Sequence, residues 1–202
     1  MNRAFAASIA RASPRLAGAA LFWAVSLVMD NLDIFEGVSG DFTQIDRLYP
    51  DAFPNEELRP LVKALLKDTP GVLSLVARAA SALIGHVIFT PCGVTGSGNT
   101  DALLGPLAVA TAWQKRGVGT VLVRAGLDRL RSAAFDRVFV LGDPAYYGRF
   151  GFDAEQLVAP PFPIPEEWRD AWQSIALRSP APRIRGTLSV PRAWNEPSLW
   201  AP

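Results

Sequence analysis

Gln114-Lys115-Arg116-Gly117-Val118-Gly119 joins the end of an apolar run to the start of the longest amphipathic stretch in the chain. A helix N-terminus carries N–H groups without intrahelical partners and about half a positive charge. Glycines at 117 and 119 let a ligand approach the backbone, and Lys115 and Arg116 add charge. The chemistry of such a loop is anion binding, most naturally of a diphosphate. It is not the dinucleotide-binding fingerprint, because the third glycine position is Leu122. A second glycine-rich run, Gly93-Val94-Thr95-Gly96-Ser97-Gly98-Asn99-Thr100, has P-loop outline but carries Asn99 where the phosphate lysine belongs. It also leads into a strand-like segment rather than a helix, so it reads as a hairpin loop. A third segment, Leu141-Gly142-Asp143-Pro144-Ala145-Tyr146-Tyr147-Gly148-Arg149-Phe150-Gly151-Phe152, follows an apolar run and brings two tyrosines close to a carboxylate.

Composition excludes other chemistries. One cysteine, Cys92, cannot form an internal disulfide, and with one histidine, His86, it cannot complete a zinc site of three or four protein ligands. Twenty basic against nineteen acidic residues leave a net charge of +1, without the surplus or clustered stripe of a nucleic-acid binder. Half of the 202 residues are hydrophobic, which excludes disorder and suits one domain with a full core.

The elements that must position these residues alternate in type. Leu32 to Val38 reads as a strand. Asp41 to Gln44 has capping-box character before a helix that Pro50 and Pro54 should break. Asn55 should cap a second helix, with Leu58, Leu61, Val62, Leu65 and Leu66 as its apolar stripe. Val72 to Ala77 and Leu83 to Phe89 form a hairpin, followed by a loop from Pro91 to Thr100. Leu103 to Val109 is a strand in which Gly105-Pro106 marks an edge or a bulge. Gly117 to Ala134 is the longest helix, with Gly126 on its buried face. Val138 to Leu141 is apolar without alternation, as in a strand covered on both faces. A short helix spans about Ala145 to Phe150. The tail beyond Phe152 holds nine prolines and four tryptophans, with strands near Trp172 to Leu177 and Gly186 to Val190. Trp168, Trp172, Trp194 and Trp200 are either core and lid or an acceptor pocket.

Residues 1–31 stand apart, with Arg3, Arg11 and Arg15 ahead of the uncharged run Leu16 to Met29. Fourteen residues are too few to span a bilayer comfortably. The readings are an extension from a start assigned too far upstream, an export or anchoring segment giving membrane contact by residues 16–29, and a helix packed on the domain.

The sequence from Gly105-Pro106-Leu107-Ala108-Val109 through the glycine loop to Tyr147 and Gly151-Phe152 resembles the GNAT superfamily of acyl-CoA-dependent N-acetyltransferases, in its bacterial branch of uncharacterised acetyltransferases. The resemblance covers about Leu32 to Val190. It implies an α/β fold: a mixed, mostly antiparallel central sheet, splayed at the cofactor site and flanked by helices. It implies residues 32–202 as the catalytic domain, acetyl-CoA as co-substrate and no metal. Leu107, Ala108 and Val109 would meet the pantetheine arm. Gln114, Lys115, Arg116, Gly117, Val118 and Gly119 would wrap the diphosphate, with Thr120 in the first helical turn. Tyr147 would protonate the departing thiolate. The reaction implied is direct attack of a primary amine on the thioester.

Many family members place a glutamate on the strand before the loop, and Leu103-Leu104-Gly105-Pro106 has no carboxylate. Asp101 and Asp143 are the remaining acids, and Asp143 equally suits a helix cap. His86 and Cys92 read as packed or loop residues, and Tyr146 as packing. The expected partner is a small-molecule amine or a peptide, with a homodimer as the further candidate, no nucleic acid, and a cytoplasmic location. A non-catalytic acyl-CoA-binding module and an acyltransferase acting on longer acyl groups or on protein N-termini are the alternatives.

Overall fold

The computed structural model describes residues 32–180 and 183–201. The readings placed on residues 1–31 lie outside them. Seven strands form one continuous path. They are β1 (Leu32–Glu36), β2 (Leu73–Ala79), β3 (Ala82–Val94), β4 (Asp101–Val109), β5 (Arg137–Leu141), β8 (Trp172–Ala176) and β6 (Asp153–Ala154), in the spatial order β1-β2-β3-β4-β5-β8-β6. Every neighbouring pair on this path is antiparallel except β4 with β5. Two short strands complete the sheet: β9 (Gly186–Ser189) pairs with the far end of β3, and β7 (Val158–Ala159) lies parallel to β9. The mixed, mostly antiparallel sheet is the one expected.

Helices cover both faces. On one face α1 (Phe42–Ala52) buries Ile45, Leu48 and Tyr49, and α2 (Arg59–Asp68) buries Leu61, Val62 and Leu65. They share a core with Val76, Ile88, Leu103 and Phe139, and with Trp172, Trp194 and Trp200 from the tail. On the other face α3 (Val118–Ser132) buries Leu122, Val123, Leu127 and Leu130 against Leu75, Val87, Phe89 and Leu104. A Cβ on Gly126 would stand 2.0 Å from Phe89, so glycine there sets how closely α3 approaches the sheet.

Several local expectations are corrected. Pro50 does not break α1. It lies in the last turn, and the Phe53 N–H still closes on the Tyr49 carbonyl at 2.8 Å. Asp41 and Gln44 do not form a capping box on α1. Asp41 accepts from the Val38 N–H and pairs with Arg78, while Gln44 accepts from the Leu83 N–H, so both tie the helix to the sheet. Asn55 does not cap α2, which starts four residues later. Glu57 accepts from the Arg59 N–H and Pro60 occupies the first turn, where a missing N–H costs nothing. The loop expected from Pro91 begins only after Val94, because β9 returns from the tail to pair with Gly93 and Val94.

Three of the four tail tryptophans resolve as core, and Trp168 packs half-buried against it. Trp172, Trp194 and Trp200 are each about 2% exposed or less. Each indole N–H is satisfied: Trp172 donates to the Val158 carbonyl, Trp194 to Thr90 and Trp200 to the Trp194 carbonyl. Among the described residues no helix is long and apolar enough to cross a membrane.

Candidate active site

The parallel pair β4–β5 is paired only over Asp101–Leu103 with Arg137–Phe139. Beyond that point Leu104 to Val109 on one side and Val140 to Leu141 on the other have no pairing with each other. Two features hold the strands apart. On the β3 side, register slips by one between Val87 and Phe89, opposite Gly105-Pro106, so the proline falls in a bulge as expected. On the β5 side, β8 pairs along the full length of β5 and draws it away. The result is a gap inside the sheet, walled by Leu107, Ala108 and Val109, whose other edge is held by Val87, His86 and Gly85 of β3.

The glycine loop closes one end of the gap. A turn of 3₁₀ helix (Thr111–Trp113) leads into it, and α3 leaves from it. Lys115 and Gly117 both adopt left-handed backbone, with φ of 60° and 86°. Such residues turn successive N–H groups toward a common side, the arrangement that receives anions. The N–H groups of Val118, Gly119 and Thr120 open the helix, and the first intrahelical bond comes from Val121 to the Gly117 carbonyl at 3.0 Å. Lys115 and Arg116 are exposed, and Arg116 lies over the Trp113 ring with 5.5 Å to its centroid. Gln114 braces the loop: its side-chain amide donates to the Val109 carbonyl at 3.2 Å and its backbone N–H to Thr111.

The same end is flanked from the β5 side by α4 (Pro144–Tyr147), which follows β5 directly. Asp143 caps it, accepting from the Ala145 N–H at 2.9 Å, so the cap reading of Asp143 holds. Tyr146 reaches across to α3. Its hydroxyl hydrogen-bonds Thr120 and stands where a Cβ on Gly119 would come within 2.5 Å. Sequence reasoning missed this contact, because it joins two elements that share no local pattern. The Tyr147 ring is half-buried, edge-on to Tyr146 at 5.0 Å and to Phe152 at 5.7 Å, and lies over Gly142. Burial pushes its phenol above the usual range, and Tyr146 and Asp143 push the same way. It therefore holds its proton across neutral pH.

The remaining candidates separate clearly. His86 is buried between Tyr49 and Ser74, with 2.9 Å hydrogen bonds at Nδ1 and Nε2, and burial lowers its pKa to about 3. It is a packed neutral residue, as expected. Burial raises the Cys92 thiol well above its ordinary range, with Asp101 adding to the effect, so it holds little thiolate. Asp101 is fully buried where β4 and β5 are still paired, away from the gap. Its two oxygens have no hydrogen-bond partner, and burial, then Asp136, raise its pKa to about 6 against the pull of Arg137. Among the described residues no cluster of His, Cys, Asp and Glu is arranged to hold a metal ion.

The C-terminal end of α1 is tied to the residues that follow β4. The Asp51 carboxylate accepts from the Thr111 N–H at 2.7 Å, and the Thr111 hydroxyl donates to the Asp51 carbonyl at 2.8 Å, fixing the end of α1 to the residues that follow β4.

Known proteins share this arrangement. Residues 42–152 match the model of the acetyltransferase (GNAT) family. The uncharacterized N-acetyltransferase YjhQ of Escherichia coli K12 is 34% identical over 155 residues, covering 73% of this chain and 86% of its own. The crystal structure of the E. coli GNAT N-acetyltransferase YhbS in complex with CoA superposes with a TM-score of 0.74 at 28% identity, over 82% of this chain and 93% of that one. A GNAT acetyltransferase of Brucella melitensis, solved with acetyl-CoA, gives a TM-score of 0.66 at 29% identity, over 81% and 97% of the two chains. With its sheet opened between β4 and β5 and its glycine loop at the start of α3, the chain belongs to the GNAT family of acetyltransferases.

Proposed function

We propose that the chain transfers an acetyl group from acetyl-CoA to a primary amine by direct attack, with residues 32–202 as the catalytic domain. The observation that carries the reading is the opening of the sheet beyond Leu103 and Phe139, flanked by the start of α3 and by α4. The unpaired edge of Leu107, Ala108 and Val109 suits the amides of a pantetheine arm. The N–H groups from Lys115 to Thr120, with the charges of Lys115 and Arg116, suit the diphosphate. The two relatives solved with CoA and acetyl-CoA support the choice of cofactor.

In this reading the amine nitrogen attacks the thioester carbonyl, held close enough that positioning supplies much of the rate. A backbone N–H of the bulged strand steadies the oxyanion. The C–S bond breaks, and Tyr147, kept protonated by its burial, gives its proton to sulfur. The acceptor is a small-molecule amine or a peptide.

The test is release of free thiol from acetyl-CoA with a panel of amines, alongside calorimetry of acetyl-CoA binding. Binding with amine-dependent thiol release is the expected result. Binding without turnover of any amine would assign the chain to the non-catalytic acyl-CoA binders.

A further inference from the structure

The β4 segment that walls the gap offers no carboxylate to take a proton from the attacking amine. Among the described residues two carboxyl groups carry buried oxygens without a hydrogen-bond partner, Asp101 and Glu56. Asp101 is wholly buried among paired strands, out of reach of any acceptor. Glu56 is half-exposed and lies in the α1–α2 connection. Asp51, in the last turn of α1 just before that connection, holds the helix end to Thr111, two residues past the end of β4. Five residues extended span at most about 18 Å, and here a turn shortens the path, the Glu56 N–H closing on the Phe53 carbonyl at 3.2 Å. The other acids nearby are engaged: Glu57 with Arg59, Asp51 with Thr111 and Asp143 with the first turn of α4.

We infer that Glu56 is the general base of the acyl transfer, taking the proton of the acceptor amine directly or through one water. The inference rests on the transferase reading above. The carboxylate accepts one proton from the nitrogen, the C–N bond forms, the C–S bond breaks, and Tyr147 protonates the sulfur. The proton held on Glu56 then returns through water to the tyrosinate, leaving amide and free thiol. Burial raises the Glu56 pKa above its ordinary value, which moves a carboxylate toward the strength of base the step needs.

The experiment compares the full chain with Glu56→Gln and Glu57→Gln, using acetyl-CoA with 2-phenylethylamine, spermidine, an alanine-ended peptide and an internal-lysine peptide as acceptors. Glu56→Gln keeps the size of the side chain, and circular dichroism with acetyl-CoA calorimetry confirms fold and cofactor site. The expected result is a kcat lower by about 10²–10⁴-fold, unchanged acetyl-CoA affinity, and loss of the acidic limb from the pH profile of kcat, which reports the bound complex rather than the ionisation of the free amine. Glu57→Gln should retain that limb. An unchanged kcat, or an acidic limb that survives in folded Glu56→Gln, overturns the role of Glu56 and leaves the transferase reading standing. A wild-type chain that binds acetyl-CoA and acetylates none of the four acceptors overturns both.

Discussion

Tyr147, half-buried, and Asp101, fully buried, are both ionisable groups raised in pKa by burial, with opposite consequences. For the tyrosine, burial preserves the proton it is proposed to donate. Tyr147→Phe keeps the ring against Phe152 and removes that proton. It should lower kcat by about 10²–10⁴-fold, with acetyl-CoA affinity changed by less than about threefold, because a contact made only in the transition state leaves ground-state binding alone. Tyrosine ionisation should produce no alkaline fall in activity below pH ~10, the ordinary tyrosine value. A pH profile of kcat checks this. For the aspartate, burial is a cost. A folded pKa of about 6 stands above the ordinary value of 3.8, so the native state holds its proton more tightly than the unfolded chain does. Stability from this group therefore falls as pH rises through the window from about 4 to 6, and the full penalty remains above it. Asp101→Asn removes the titration, and the drop in Tm between pH 5 and pH 8 should shrink. An identical drop in both chains would show that Asp101 does not titrate in this range.

At the scale of elements, α4 and the first turn of α3 act as one clasp through Tyr146. Gly119→Ala would place a methyl 2.5 Å from the Tyr146 hydroxyl. Something must shift, and α4 is a single short turn. Acetyl-CoA affinity should weaken by about tenfold or more, as one net hydrogen bond and a repacked contact together approach 1.4 kcal/mol, while the fold survives. Tyr146→Phe loses only the bond to Thr120 and should cost less, about two- to tenfold on the same scale. Calorimetry on both variants ranks them. The gap was expected only from the family resemblance; the residues themselves marked an edge or a bulge at Gly105-Pro106 and, in the unalternating run at Val138, a strand covered on both faces. The helix start behind Gln114 to Gly119, on which the proposed anion site rests, was legible from local pattern alone, because a helix N-terminus is a local device. The clasp was not legible, since nothing in the spacing of Gly119, Thr120 and Tyr146 records that two elements meet. Glu56 was equally hidden, for in Asn55-Glu56-Glu57 it reads as a solvated charge until burial leaves one of its oxygens without a partner. Pro50 and Asn55 misled because the end of α1 is held by a tertiary tie, Asp51 to Thr111, and the start of α2 by a different local residue, Glu57, which accepts from the Arg59 N–H.

For the whole molecule, the tail is part of the fold. Trp194 and Trp200 seal the face that α1 and α2 cover, and Trp194 bonds Thr90 of β3 from 104 residues away. Trp194→Ala should destabilise by about 3–5 kcal/mol, and a chain ending at Ser189 should lose cooperative unfolding. Calorimetric melting checks both, and a truncated chain that melts like the full one would make the tail a removable lid. The open seam between β4 and β5 carries a different consequence. A sheet interrupted from within has two inward edges whose peptide groups look for partners, as the outer edge of any sheet does. In the proposed reading a pantetheine arm would supply the missing rungs, so the cofactor would in part serve as a structural strand. Amide hydrogen exchange should therefore be patterned along β4 itself: slow from Asp101 to Leu103 at all times, and slowing from Leu107 to Val109 only when acetyl-CoA is added. Without it, the seam is where the sheet would begin to unzip.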